Sequence, residues 1–180
     1  MAGRHRGQLR GSPRIDGDVE SAHRGAIIHN AVEHRVNTLF TIGFTQKSAE
    51  EFFRTLKTAG VRRVVDVRLR NTGQLAGFAK RDDIAFFLRN INQIGYVHLQ
   101  ILAPTADMLR AYQEGTATWD EYGRAFRDLI EVRHIEVELK GTLQDRDCLL
   151  CSEPEAARCH RRLVAEYLQH RWKHWSIEHL

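Results

Sequence analysis

The reactive side chains of this sequence concentrate in one stretch, Cys151-Ser152-Glu153-Pro154-Glu155-Ala156-Ala157-Arg158-Cys159-His160-Arg161. Leu149 and Leu150 precede it, so Cys151 reads as the end of a buried strand. Pro154 suits the first position of a following helix. A helix start offers unpaired N–H groups and the positive end of its dipole, which lower a thiol's pKa and attract anions. On that helix His160 stands three and four residues from Leu163 and Val164 and seven from Tyr167, so it faces inward. Arg158 and Arg162 face outward, with Cys159 at the border of the apolar stripe. As a catalytic cluster, Cys151 or Cys159 would act with His160, Glu153 would carry acid–base chemistry, and Arg161 would grip an anion. The same residues also suit two buried structural thiols, a satisfied core histidine and helix-capping carboxylates.

A zinc site is the third reading of this stretch, since Cys148, Cys151, Cys159 and His160 supply four ligands. Two geometric objections stand against it. In a strand, Cys148 and Cys151 point to opposite faces. On a helix, the neighbours Cys159 and His160 diverge by about 100°. No metal and no other cofactor is therefore expected. A thioredoxin-like pair is weaker still, because the Cys148–Cys151 spacing lies inside a strand and does not open a helix.

Asp66 and Arg68 form a second polar pair, two residues apart after a valine-rich run and hence on one side of a strand. A carboxylate leaving a buried strand needs partners, so the pair serves either a ligand or an ion pair tying the strand end down. The loop beyond, with Gly73 and Gly77, carries Arg68, Arg70, Lys80 and Arg81 together with Phe78. These residues suit a phosphate and a stacked base, although the spacing is not that of a P-loop or a dinucleotide fingerprint.

Alternating strand and helix signals position these groups. Thr38 to Ile42 is β-rich and stops at Gly43. Ser48 and Glu51 make a capping box for a helix with Phe52, Phe53, Leu56 and Ala59 inward, ended by Gly60. A strand follows from Val61 to Val67, then a helix from about Arg81 to Asn92 with Ile84, Phe87, Leu88 and Ile91 inward. Gly95 to Leu99 is a third strand. Thr105 caps a short helix to about Gln113, and Thr118 with Glu121 opens another through Phe126 and Ile130. Residues 133–144 suit either strand or helix. Cys148 to Cys151, the helix from Pro154 to about His170, and a last strand from Trp172 to Ile177 complete the chain. The succession predicts a single-domain α/β fold: a mostly parallel, doubly wound, Rossmann-like sheet with helices on both faces. In such sheets ligands bind beyond the carboxyl ends of the strands.

A chain of 180 residues suits one domain. Residues 1–36 differ in texture, with six scattered arginines and with Gly3, Gly7, Gly11 and Gly17, and read as a mobile basic tail. Residues 37–180 form the domain. No apolar run approaches the roughly 18 residues of a membrane span, and Ala26-Ile27-Ile28 is too short for a signal peptide. Three cysteines, an odd number, argue against a secreted disulfide framework. A cytoplasmic protein away from membranes is the expectation. The formal charge of +4 tilts the partner toward an anion: DNA, RNA or a nucleotide.

Thr41-Ile42-Gly43, Asp66-Val67-Arg68, Cys151-Ser152-Glu153 and Cys159-His160-Arg161 together resemble the bacterial and archaeal domain-of-unknown-function-488 family, over about residues 38–179. Phe44-Thr45 stands where members often have His-Ser. The segment after Arg68 lacks the proline and serine pattern of many members. The resemblance implies that Asp66, Arg68, Cys151, Glu153, Cys159, His160 and Arg161 form one constellation, and it carries no activity. Thr41 and Gly43 join the expected substrate-binding set with Arg68, Arg70, Phe78, Lys80 and Arg161. The resulting expectation is a nucleic-acid- or nucleotide-linked protein, a base- or nucleotide-processing enzyme favouring DNA over RNA. The alternatives are a small-molecule enzyme with a Cys/His site and a non-catalytic binding module.

Overall fold

A computed structural model describes residues 36–73 and 76–180. The expected tail, apart from Val36, lies outside the described residues. Five strands form one sheet: β1 (Asn37–Gly43), β2 (Arg63–Asp66), β3 (Gly95–His98), β4 (Asp147–Cys151) and β5 (Trp175–His179). All pairings are parallel, in the order β3-β2-β4-β1-β5. Between them run α1 (Ala49–Ala59), α2 (Arg81–Phe87), α3 (Ala106–Gln113), α4 (Trp119–Val132), α5 (Ile135–Glu138) and α6 (His160–Trp172). The doubly wound α/β fold read from the sequence is the observed one.

Local chemistry explains most boundaries. The Ser48 hydroxyl accepts from the Glu51 N–H at the start of α1, and Gly60 ends that helix at φ 70°. Both halves of the Thr118–Glu121 capping box form at α4. The segment after Arg81 runs as α-helix only to Phe87 and then widens into a π-helical turn, Leu88–Asn92. The extra residue in that turn rotates Ile91 outward, so this expected core residue is 56% exposed. Residues 133–144 hold no strand. His134, at φ 49°, starts the short α5, whose four-residue spacing buries Ile135 and Leu139 and leaves Val137 outside.

Period-two alternation along the strands divides the core into two layers. Phe40, Ile42, Val64, Cys148 and Leu150 meet Phe52, Phe53, Leu56, Ile84 and Leu88 from α1, α2 and the π turn. Leu39, Val65, Val67, Leu149 and Cys151 meet Phe126, Ile130, Leu163, Val164 and Leu168 from α4 and α6. Every residue of β4 is buried, as suits a central parallel strand covered on both sides.

Strand order also marks where a ligand belongs. The chain leaves β2 toward β3 at one edge and leaves β4 toward β5 at the other. β2 and β4 are neighbours, so the connections leaving their carboxyl ends run apart and open a crevice there. Among the described residues no helix is long and apolar enough to cross a membrane.

Leu149, with no exposed surface at the middle of β4, tests this packing against Ile91. Leu149→Ala is expected to lower stability by about 2–5 kcal/mol, and Ile91→Ala to change it by less than about 0.5 kcal/mol, read from urea unfolding midpoints.

Candidate active site at the switch point

Asp66 ends β2 with no exposed surface, facing the α1/α2 side of the sheet. Arg68 grips it bidentately, Nε to Oδ1 at 2.8 Å and a terminal nitrogen to Oδ2 at 2.6 Å. The Arg68 N–H reaches Oδ1, and the Tyr96 hydroxyl and Asn71 amide both donate to Oδ2. Burial pushes this carboxyl up, but the hydrogen bonds and charge of Arg68, joined by Tyr96, outweigh it and hold Asp66 below its ordinary value. Arg68 also donates to the Ala79 carbonyl and lies over the Phe44 ring. Asp66 is thus fully engaged inside the protein and acts as a positioning residue for Arg68 and the loop after β2.

The loop between β4 and α6 is held by its carbonyl groups. Thr45 donates its N–H and hydroxyl to the Ser152 carbonyl, and Arg161 donates to the carbonyls of Glu153 and Pro154. These oxygens are directed to partners outside the helical ladder, so the helix expected from Pro154 begins at His160. Gly43 makes room for the loop, because a Cβ there would overlap the Glu153 carbonyl. Arg161, 1% exposed, is consequently a clamp on this loop and lies outside the crevice.

The loop delivers three donor atoms to one point. The sulfurs of Cys151 and Cys159 and a ring nitrogen of His160 all lie within 4.8 Å of one another. Cys151 Sγ is 3.6 Å from His160 Nδ1, while His160 Nε2 is 2.9 Å from the Val67 carbonyl oxygen. A carbonyl only accepts, so Nε2 carries a proton and, in the neutral ring, Nδ1 presents its lone pair to Cys151. The expected divergence of Cys159 and His160 does not occur. Cys159 is the residue before the helix, in extended backbone at φ −135° and ψ 138°, so the 100° helical offset does not apply to the pair. Cys148 does point to the opposite face, into the α1/α2 core.

The two thiols are electrostatically unequal. A hydrogen bond from Cys159 lowers Cys151 against the effect of burial, aided by the N–H groups of Ser152 and Glu153 and by the charge of Arg161. Cys159 is pushed up by Cys151 and by burial. The site can therefore hold negative charge on Cys151, either as a nucleophile beside His160 or as a ligand to a soft cation.

This cluster floors a cleft of about 320 Å³ at the switch point. One wall is aromatic: Tyr112 of α3 packs on Tyr122 of α4 at 5.1 Å between ring centres, and Trp119 stacks on Tyr122 at 5.5 Å. Arg68, Arg70, Arg158 and Glu153 also line the cleft. The remaining expected residues go elsewhere. Phe78 packs among Phe44, Phe52 and Phe53, because its short turn folds back where Arg68 holds Ala79. Lys80 precedes α2 and does not line the cleft. Thr41 is buried, with its hydroxyl 2.7 Å from His179 Nδ1. A depression of about 420 Å³ lies on the α1/α2 face, but Phe53, Phe78, Phe87 and Ile91 line it with no thiol or imidazole. The aromatic wall was not anticipated from sequence; Trp119 and Tyr122, three apart at the start of α4, were its available signal.

A parallel α/β sheet with a thiol–imidazole floor at its switch point defines the class of protein. The model of the family described as "Domain of unknown function DUF488" matches residues 48–168, and the chain belongs to that family. Comparisons with curated proteins and with solved structures return no match.

The Asp66–Arg68 pair gives a signed pH test. A carboxyl held below its unfolded value of about 3.9 contributes stability that is complete above about pH 4 and is lost as pH falls through the folded pKa. Arg68→Ala removes the guanidinium's hydrogen bonds and charge, the strongest of the lowering effects, and leaves burial opposed only by Tyr96 and the residue-68 N–H, so Asp66 should then rise. The expected deficit near pH 7 is about 3–5 kcal/mol, and it should shrink toward pH 3. Urea midpoints from pH 3 to 7 check this; a pH-independent deficit would refute it.

Proposed function

We propose that this protein is a nucleotide- or nucleobase-processing enzyme whose substrate occupies the cleft at the ends of β2 and β4. The observation that carries the reading is the pairing of the Tyr112–Trp119–Tyr122 wall with guanidinium groups above a reactive floor. An aromatic face stacks a planar base for about 1–3 kcal/mol, and arginine is suited to phosphate by its planar fork. Arg70 and Arg158 are exposed and have no ion-pair partner among the described residues, so both are free to meet an anion. The net charge of +4 adds a long-range pull of the same sign.

Cleft size bounds the substrate. A volume of about 320 Å³ is at the small end for a ligand site and suits one base with its sugar and phosphate. A nucleic acid would have to present a single unstacked base or a chain end, and single-stranded DNA meets that need at the least cost. Glu153 is the one carboxylate among the residues lining the cleft, and in this reading it accepts the proton.

Calorimetric titration of the full chain with nucleoside monophosphates and short single-stranded DNA, at about 50 mM salt, tests this reading. Binding should weaken with salt, and Trp119→Ala should reduce affinity by about 5- to 150-fold. Arg158→Ala should reduce both affinity and salt slope while leaving the unfolding midpoint unchanged. No binding of either ligand at low salt, where phosphate contacts are strongest, would sink the reading.

A further inference from the structure

We propose that Cys151, Cys159 and His160 are the protein ligands of a zinc-class divalent cation, with its fourth position open to the cleft. This goes beyond the nucleotide reading and does not depend on it, because it stands on donor geometry alone. Tetrahedral zinc holds sulfur at about 2.3 Å and nitrogen at about 2.0–2.1 Å, which separates a ligating sulfur and nitrogen by about 3.6 Å. Cys151 Sγ and His160 Nδ1 are 3.6 Å apart. Cys159 Sγ completes a set in which every donor lies within 4.8 Å of the others.

The surroundings of the three donors fit a ligand role. Zinc-bound histidine is commonly held by donating its other ring N–H to a carboxylate or carbonyl, which fixes the tautomer and aims the free lone pair. His160 makes that contact through Nε2 to the Val67 oxygen at 2.9 Å. Phe126 packs edge-on against the same ring at 5.5 Å and limits its rotation. Two thiolates neutralise a divalent cation, so the loaded cluster would place no net charge among Val67, Phe126 and Leu163.

Three protein ligands are the pattern of a catalytic zinc site, whereas structural zinc takes four. Cys148, the remaining thiol, lies on the other face of the sheet and cannot supply the fourth. All three proposed ligands line the cleft, so the open position is directed toward substrate and solvent. Water bound there would be acidified toward neutral pH, and Glu153, the one carboxylate in the cleft lining, would take its proton. The substrate class is then one opened by hydroxide, such as an amidine-like ring carbon or an ester, as opposed to one that needs a covalent thiol adduct.

The test uses the full chain without a polyhistidine tag, stripped with chelator and titrated with zinc against a chromophoric competitor. Stoichiometry is read by elemental analysis. One zinc per chain is expected, and Cys151→Ser, Cys159→Ser and His160→Ala should each weaken it by about 100-fold or more. Cys148→Ser should leave it unchanged. Cobalt loading of the wild-type protein supplies a readout that no misfolded variant can confuse. It should give the ligand-field bands of a tetrahedral site together with thiolate-to-cobalt charge transfer. Less than one zinc per chain, cobalt spectra without charge transfer, or equal affinity in the three variants would each overturn the proposal. Rapid alkylation of Cys151 in the presence of saturating zinc would overturn it as well, since a ligated thiolate is protected. The calorimetric titration scores the nucleotide reading separately, so failure of either leaves the other readable.

Discussion

Asp66 is a carboxylate without exposed surface, and the carboxyl edge of the sheet is organised by its need for donors. An unpaired buried charge is so costly that the chain beyond β2 must fold back to supply Arg68, Asn71 and, from β3, Tyr96. Satisfying Asp66 in this way fixes the Arg68 backbone, which His98 also holds through a ring nitrogen 2.8 Å from its carbonyl. It also fixes Val67, whose N–H donates to the Leu150 carbonyl on β4 and whose carbonyl accepts from the His160 ring N–H. The imidazole orientation at the cleft floor therefore descends from an ion pair on the opposite face of the sheet.

The second constraint is steric and lies between β1 and the β4–α6 loop. Gly43 lets the Glu153 carbonyl approach the sheet closely, and Arg161 then spans the loop from below. Together they keep Cys159 outside the helix in an extended conformation, which turns its sulfur toward Cys151. A loop one residue more helical would send the two sulfurs apart. The convergence of donors is a property of where α6 starts.

That starting point shows what sequence reading could and could not reach. Elements marked by short-range chemistry were legible: the Thr118–Glu121 box, the Gly60 stop, and the alternation that sends Cys148 and Cys151 to opposite faces. Cys151, Cys159 and His160 were also legible as neighbours, being close in sequence. The onset of α6 was not, because Pro154 is a good first helical residue locally, and the competing bonds come from Thr45 and from the Arg161 side chain. The aromatic wall was hidden for a related reason. Tyr112 sits on a different helix from Trp119 and Tyr122, and only the turn between α3 and α4 brings it against them. Phe78 shows the reverse case, a ring close to Arg81 in sequence that packs against other phenylalanines in space.

Strand order has a consequence for how the molecule comes into being. β1 and β2 never pair with each other; β4, made about a hundred residues after β1, is the strand that joins them. While a ribosome is still extending the chain through α3 and α4, the future centre of the sheet is a gap with an open backbone edge on either side. Such edges invite pairing with other chains. The strand that closes the gap is also the one that ends in Cys151, so the reactive thiol and the shield against aggregation arrive in the same step. A nascent chain stalled before residue 147 would lack both.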